Sequence, residues 1–244
     1  MAFHPVKKQS IADEITEQIL KMIFKGEVRP GERLPPEREL AVSFKTNRNT
    51  LREAIRNLQT MNVVVARQGD GLIVRDFWSE GELNLLPYFV REIDDPKLQW
   101  VTVRDMLRLR SVLLEEVVWT VATENRPGVF DGLEQLVKLQ RSQLGEPEKM
   151  IRTDFEFAMS MVESLERPAY RWVFNSMARL YKDVVFHFPM FWIFADDYVD
   201  SLEKIVSLLR SGDAEGSRRQ MREHLEKADR LVLGALTRVR ELLE

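Results

Sequence analysis

The stretch from Pro35 to Met61, PPERELAVSFKTNRNTLREAIRNLQTM, constrains this chain more than any other. It reads as two short helices with a tight connection. Pro36 suits a first helical position, where the missing N–H is not needed. Glu37 and Glu39 follow in the first turn, where the helix dipole favours negative charge. Leu40, Ala41 and Phe44 are left to face inward. Lys45 and Thr46 interrupt the pattern, and either Thr46 or Asn47 can cap a second helix. In that helix Leu51, Ala54, Ile55, Leu58 and Met61 recur at three- and four-residue spacing and make one apolar stripe. Arg48, Arg52 and Arg56 form a ridge on another face, with Asn49 and Thr50 beside its first turn. Guanidinium forks and a carboxamide at a helix N-terminus are the groups that read base edges in a major groove. A basic outer face alone is also what any solvated amphipathic helix carries, so the neighbouring sequence decides between the two.

Those neighbours favour nucleic acid. Residues 1–9 are expected to be a loose arm. Ser10 can cap a helix whose stripe is Ile11, Ile15, Ile19, Met22 and Ile23, with Gly26 ending it. A Pro30-Gly31 turn leads to an extended piece ending at Leu34. After the helix pair, the β-branched run from Asn62 to Arg67, the turn Gln68-Gly69-Asp70-Gly71 and the return Leu72-Ile73-Val74 make a hairpin. Helix, helix–turn–helix and hairpin in this order predict a winged helix, with the hairpin tip beside the second helix.

At 244 residues the chain suggests two domains. It has no cysteine, so disulfides and thiolate chemistry are excluded. No N-terminal segment reads as a secretion signal, and no run approaches the roughly 18 apolar residues of a membrane span, so a cytoplasmic protein without membrane contact is expected. The net charge of −3 is unevenly spread. Residues 1–78 hold 13 Lys+Arg against 10 Asp+Glu, a net of +3, which leaves −6 for the remainder. A basic head on an acidic body suits a binder whose polyanion contacts lie at one end.

Residues 8–76 resemble the DNA-binding domain of the GntR family of bacterial transcription regulators. The pieces PGERLPPERELA, NRNTLREAIRNL and RQGDGLIV carry the resemblance. It implies double-stranded operator DNA as a partner, contacted by Arg38, Arg48, Asn49, Thr50, Arg52, Gln68 and Gly69. Asp70 departs from the pattern, because a cation is common at that point of the wing.

From Leu85 onward the chain reads as helices, roughly 85–93, 99–124, 128–143, 147–165, 167–187, 196–211 and 213–243, with Pro127-Gly128, Pro168, Pro189 and Gly212-Asp213 as breaks. The expected organisation is mainly α: a winged helix-turn-helix domain over 1–76, a linker over 77–84 and an all-α bundle over 85–244. The bundle resembles the effector-binding domain of the FadR-like branch of the family. DFWSEGELNLL, the piece from Asp154 to Pro168 and FNSMARLYK (174–182) carry that match. It implies a homodimer whose bundle cavity binds a small effector, and in FadR-type regulators a fatty acid derivative, long-chain acyl-CoA, that releases the operator.

Many relatives with this bundle hold a divalent metal through one aspartate and three histidines. The matching positions here are Asp154, Ala158, Leu202 and His224, so two ligands are missing and no metal or other cofactor is expected. No catalytic arrangement is legible: His4, His187 and His224 lack telling partners, and no phosphate-binding glycine loop occurs. Arg110 matches an arginine that such bundles direct at the effector, and an anionic head group suits its fork. The competing reading pairs it with Glu115 or Glu116. Tyr181 matches a cavity tyrosine and equally reads as core. Where FadR-type regulators have glycine, serine and tryptophan near the ligand, this chain has Leu225, Ala228 and Val232. The aromatic piece 186–194 can line a lipid tunnel, a core or a dimer seam. The function expected is a dimeric transcription regulator. The alternative from another class is a protein-interaction module built on the bundle.

Overall fold

The computed structural model describes residues 10–125, 127–188 and 192–241. The expected arm 1–9, the break at Pro189 and the chain end beyond Glu241 lie outside them. The chain divides into two compact units, Met1–Gln99 and Trp100–Glu244.

In the first unit, α1 (Ile11–Phe24) starts with a capping box: Asp13 N–H donates to Ser10 Oγ at 3.1 Å and Ser10 N–H to Asp13 Oδ2 at 3.2 Å. Its inward arc is Ala12, Ile15, Thr16, Ile19, Leu20 and Ile23. The expected stripe is corrected at two positions, because Ile11 and Met22 are exposed, while Ile15, Ile19 and Ile23 are buried. Small residues take the close approach instead, with the Thr16 hydroxyl satisfied by the Ala12 carbonyl at 2.8 Å. α2 (Glu37–Ser43) begins after Pro36, which caps it rather than occupying its first turn. Lys45 turns the chain with a left-handed φ of 49°. Asn47 caps α3 (Arg48–Thr60), its Oδ1 accepting from Thr50 N–H at 3.0 Å. Leu51, Ala54, Ile55, Leu58 and Met61 are all buried, as their spacing predicts.

β1 (Val64–Arg67) and β2 (Gly71–Val74) pair antiparallel, from Val64 opposite Val74 to Arg67 opposite Gly71. Gly69 and Gly71 supply the positive φ, 85° and 79°, that this turn requires. The extended piece ending at Leu34 lies along β2, with Gly31 N–H to Val74 O at 2.8 Å and Leu34 N–H to Leu72 O at 2.9 Å. β1 starts later than expected because Asn62 sits at φ 61° and uses its amide elsewhere. Its Nδ2 donates to the Glu80 carbonyl at 2.7 Å and its Oδ1 accepts from Arg75 at 2.6 Å.

The segment expected as a linker is structured. It forms α4 (Phe77–Glu80), a tight turn at Leu83–Leu85 and α5 (Leu86–Glu92). Leu85 enters the core of the first unit, and Phe24 packs edge to face with both Phe77 and Phe89. Ion pairs fix α5 and the residues after it onto α1: Arg91 with Glu17 at 2.7 Å, Lys21 with Glu92 at 3.2 Å and Lys25 with Asp94 at 2.7 Å.

α6 (Pro96–Glu124) supplies most of its length to the second unit. α7 (Phe130–Ser142), α8 (Pro147–Ser164), α9 (Pro168–His187), α10 (Tyr198–Ser211) and α11 (Ala214–Glu241) complete it. Proline opens α8 and α9, and Gly212 at φ 73° ends α10. The core joins Val118 and Val121 of α6, Leu133 of α7, Met161 of α8, Leu202, Ile205 and Leu209 of α10 and Met221 of α11. Each fully buried side chain of this size contributes about 1.5–3 kcal/mol. Among the described residues, no helix is long and apolar enough to cross a membrane.

Candidate nucleic-acid interface and effector cavity

The residues expected to meet DNA come from three elements of the first unit. Arg38 lies on α2, Arg48, Asn49, Thr50 and Arg52 on the first turns of α3, and Gln68 and Gly69 at the hairpin tip. All are exposed except Thr50, which is half-buried. Folding therefore leaves these side chains accessible to an external partner, and the start of α3 adds the positive end of its dipole. Arg52 is oriented from within, its Nε donating to Glu37 Oε2 on α2 at 3.1 Å. The wing acidic residue is neutralised by a cation that sequence reading missed: Arg33, on the strand-like piece beside β2, forms an ion pair with Asp70. Only the tertiary pairing of residues 31–34 with β2 brings them together.

In the second unit, Nη1 of Arg110 donates to the Tyr181 hydroxyl at 2.6 Å, and both line one cavity. The anion beside Arg110 is neither Glu115 nor Glu116, which pair with Arg222 and Arg218. It is Asp229 of α11, which accepts from Nη2. Both members of this ion pair are 17% exposed. The adjacent Nε of Arg110 is buried without a hydrogen-bond partner. Burial raises the pKa of Asp229, opposed in part by the Arg110 charge.

A cavity of about 40 Å³ adjoins this cluster, lined by the polar Arg110, Asp154 and Tyr181 and by the apolar Leu113, Leu114, Phe155, Ala158, Phe174, Met177 and Ala178. A water needs about 10–15 Å³ of such space, so the cavity admits a few waters or a very small molecule. A long acyl chain does not fit without separation of the surrounding helices. Of the aromatic piece 186–194, residues 189–191 lie outside the described ones. Phe186 and Trp192 contact each other, and Trp192 Nε1 donates to the Val185 carbonyl at 3.0 Å, so these two are not among the cavity walls. Leu225 and Val232 are buried, Leu225 within the bundle core.

The four positions matching the metal site of related bundles do not fit a metal. Ala158 and Leu202 are buried and offer no donor atom. Asp154 accepts a hydrogen bond from the Tyr198 hydroxyl at 2.5 Å. The Tyr198 ring packs on His224 with centroids 4.5 Å apart, so a tyrosine stands between the aspartate and the histidine. Burial holds the Asp154 carboxyl above its usual range, and burial with Arg110 nearby pushes His224 down to about 3. A neutral imidazole on α11 and a hydroxyl-bound carboxyl on α8 thus meet the same tyrosine of α10.

Comparison with known proteins agrees with this architecture. Residues 11–74 match the model of bacterial regulatory proteins of the gntR family, and residues 105–227 match the FCD domain. The chain is 28% identical to the HTH-type transcriptional regulator Mce2R of Mycobacterium tuberculosis, over 97% of each chain. It is 24% identical to the HTH-type transcriptional regulator LutR of Bacillus subtilis, over 87% of this chain and 97% of that one. It is 26% identical to the fatty acid metabolism regulator protein of Haemophilus influenzae, over 73% and 72%. Among solved structures, Lar, which controls expression of the Listeria monocytogenes agr system, shares the fold with a TM-score of 0.58 and 16% identity, covering 94% of this chain and 98% of that one. The chain thus belongs to the gntR family of bacterial regulatory proteins, in the branch that joins a helix–turn–helix domain to an FCD domain, and it is a DNA-binding transcription regulator rather than an enzyme.

Proposed function

We propose that this regulator binds a near-palindromic operator as a homodimer in the cytoplasm, and that a small carboxylate in the bundle cavity weakens that binding. Arg48, Asn49, Thr50 and Arg52 read base edges, while Arg38, Gln68 and Gly69 hold backbone and groove. The observation that carries the effector half is a buried guanidinium, Arg110, which lines a cavity together with Tyr181, Asp154 and a largely apolar set of side chains. Such a site fixes a carboxylate by its fork and tests the rest of the ligand by size. The small volume favours a short acid over a fatty acid or acyl-CoA. The effector acts as a population shift, favouring a dimer whose winged helices no longer match the half-sites.

The experiment is sedimentation of the protein with an operator duplex selected from genomic fragments. Two protomers per duplex, and their release by a short carboxylate but not by its amide, are the expected results. One protomer per duplex contradicts the dimer, and release by neither compound contradicts the effector class.

A further inference from the structure

We propose that Asp229 is an internal stand-in for the effector's carboxylate, and that the effector binds by taking its place on Arg110. The inference rests on the effector reading above and adds a residue that sets which anions are accepted. Asp229 engages Nη2 of Arg110 only, while Nε is buried beside it with no partner. Those two nitrogens form one edge of the guanidinium, and a carboxylate laid along that edge accepts from both. The native pair therefore leaves a donor unmet that a ligand carboxylate can satisfy. Nη1 stays on the Tyr181 hydroxyl throughout, which fixes the plane of the fork.

The exchange conserves buried charge. One carboxylate replaces another next to Arg110, so the cation is never left bare, which is the costly state. Asp229 is partly exposed and lies within electrostatic reach of Arg108, which is exposed, so it can turn to solvent. Of the other walls, Asp154 is already held by the Tyr198 hydroxyl and is itself acidic, and Leu113, Leu114, Phe155, Phe174 and Met177 are apolar, so a second negative charge on the ligand meets no cation. The ligand class is a monocarboxylate with a short apolar tail. Its entry separates Arg110 on α6 from Asp229 on α11, and so removes the ion pair that ties the two helices.

The test uses the full-length protein and calorimetric titration with butyrate, L-lactate, succinate, palmitate and butyramide. Wild type, Asp229→Asn, Asp229→Ala, Asp229→Glu and Arg110→Gln are compared, with circular dichroism to confirm folding. At least one short monocarboxylate is expected to bind wild type and to bind both Asp229→Asn and Asp229→Ala about tenfold more tightly. Asp229→Glu keeps the competing charge and is expected to show no tightening, while Arg110→Gln loses binding. Equal affinity in wild type, Asp229→Asn and Asp229→Ala, with binding still lost in Arg110→Gln, leaves the effector site standing and overturns the displacement. Absence of binding by every carboxylate in wild type and in both neutral variants overturns the effector reading and the displacement with it.

Discussion

Glu37, the first residue of α2, accepts a hydrogen bond from Nε of Arg52 on α3 at 3.1 Å, across the turn that joins the two helices. An acidic residue thus aims a guanidinium at the surface where DNA is expected. Arg52→Ala is expected to cost about 1–3 kcal/mol of operator binding, the range of one good base-edge contact. Arg52→Lys keeps the charge but loses the fork, and should lose most of the same energy. Arg52 is exposed and Glu37 partly so, and the pair itself contributes under about 1 kcal/mol, so melting temperatures should barely move. Operator titrations beside thermal melts check this, and a lysine variant that binds like wild type removes the fork from the recognition scheme.

His224 makes stability depend on pH. Its folded-state pKa is about 3 against 6.5 unfolded, chiefly from burial, with Arg110 and Lys227 adding to the fall and Asp197 opposing it. The unfolded chain therefore takes up the proton first. His224 leaves stability intact above pH 6.5 and lowers it as pH falls from there towards 3, by up to about 1.4 kcal/mol per pH unit. Asp154 and Asp229 have raised values and act with the opposite sign near their own titration. The difference between wild type and His224→Gln in denaturant unfolding isolates the histidine. It should shift against wild type below pH 6.5, and a difference independent of pH contradicts a neutral buried imidazole.

Tyr198 takes the central position in the pseudo-metal site, and its hydroxyl is the donor to Asp154. Tyr198→Phe keeps the ring against His224 and removes only that donor. The buried carboxyl is left short of a partner, at a cost of about 1–3 kcal/mol in unfolding free energy. A neutral outcome in urea unfolding would mean that water reaches Asp154.

Chelators should leave both melting temperature and operator affinity unchanged, because Ala158 and Leu202 supply no ligand atoms. Elemental analysis should find no stoichiometric transition metal. One tightly held ion per chain, released by His224→Ala, would reveal a different ligand set.

The parts of this molecule legible in its sequence are those with local causes. Asn47 capping α3, prolines opening α8 and α9, Gly212 closing α10 and the Gly69/Gly71 turn each act within a few residues. The apolar stripe of α3 is read correctly because one face meets one core. The stripe of α1 is read only in part: Ile15, Ile19 and Ile23 are inward as expected, but so are Ala12 and Thr16, which only the neighbouring helix makes visible. The site is harder still. Arg110 and Tyr181 carry recognisable neighbours in sequence, but Asp229 stands 119 residues from Arg110, and Tyr198 stands 44 from Asp154. No spacing rule connects such pairs. The same holds for Arg33 and Asp70, joined by a strand pairing, and for α5, which aromatic contacts and ion pairs assign to the first unit.

The central claim is that the first turns of α3 read a specific operator. Its most direct measurement is the affinity of wild type and Arg48→Ala for a selected operator duplex and for a scrambled duplex, each at two salt concentrations. Wild type should prefer the operator, with affinity for both duplexes falling steeply as salt rises. Arg48→Ala should lose about 1–3 kcal/mol on the operator and far less on the scrambled duplex. Equal losses on both duplexes, or none on either, would contradict base reading by this helix.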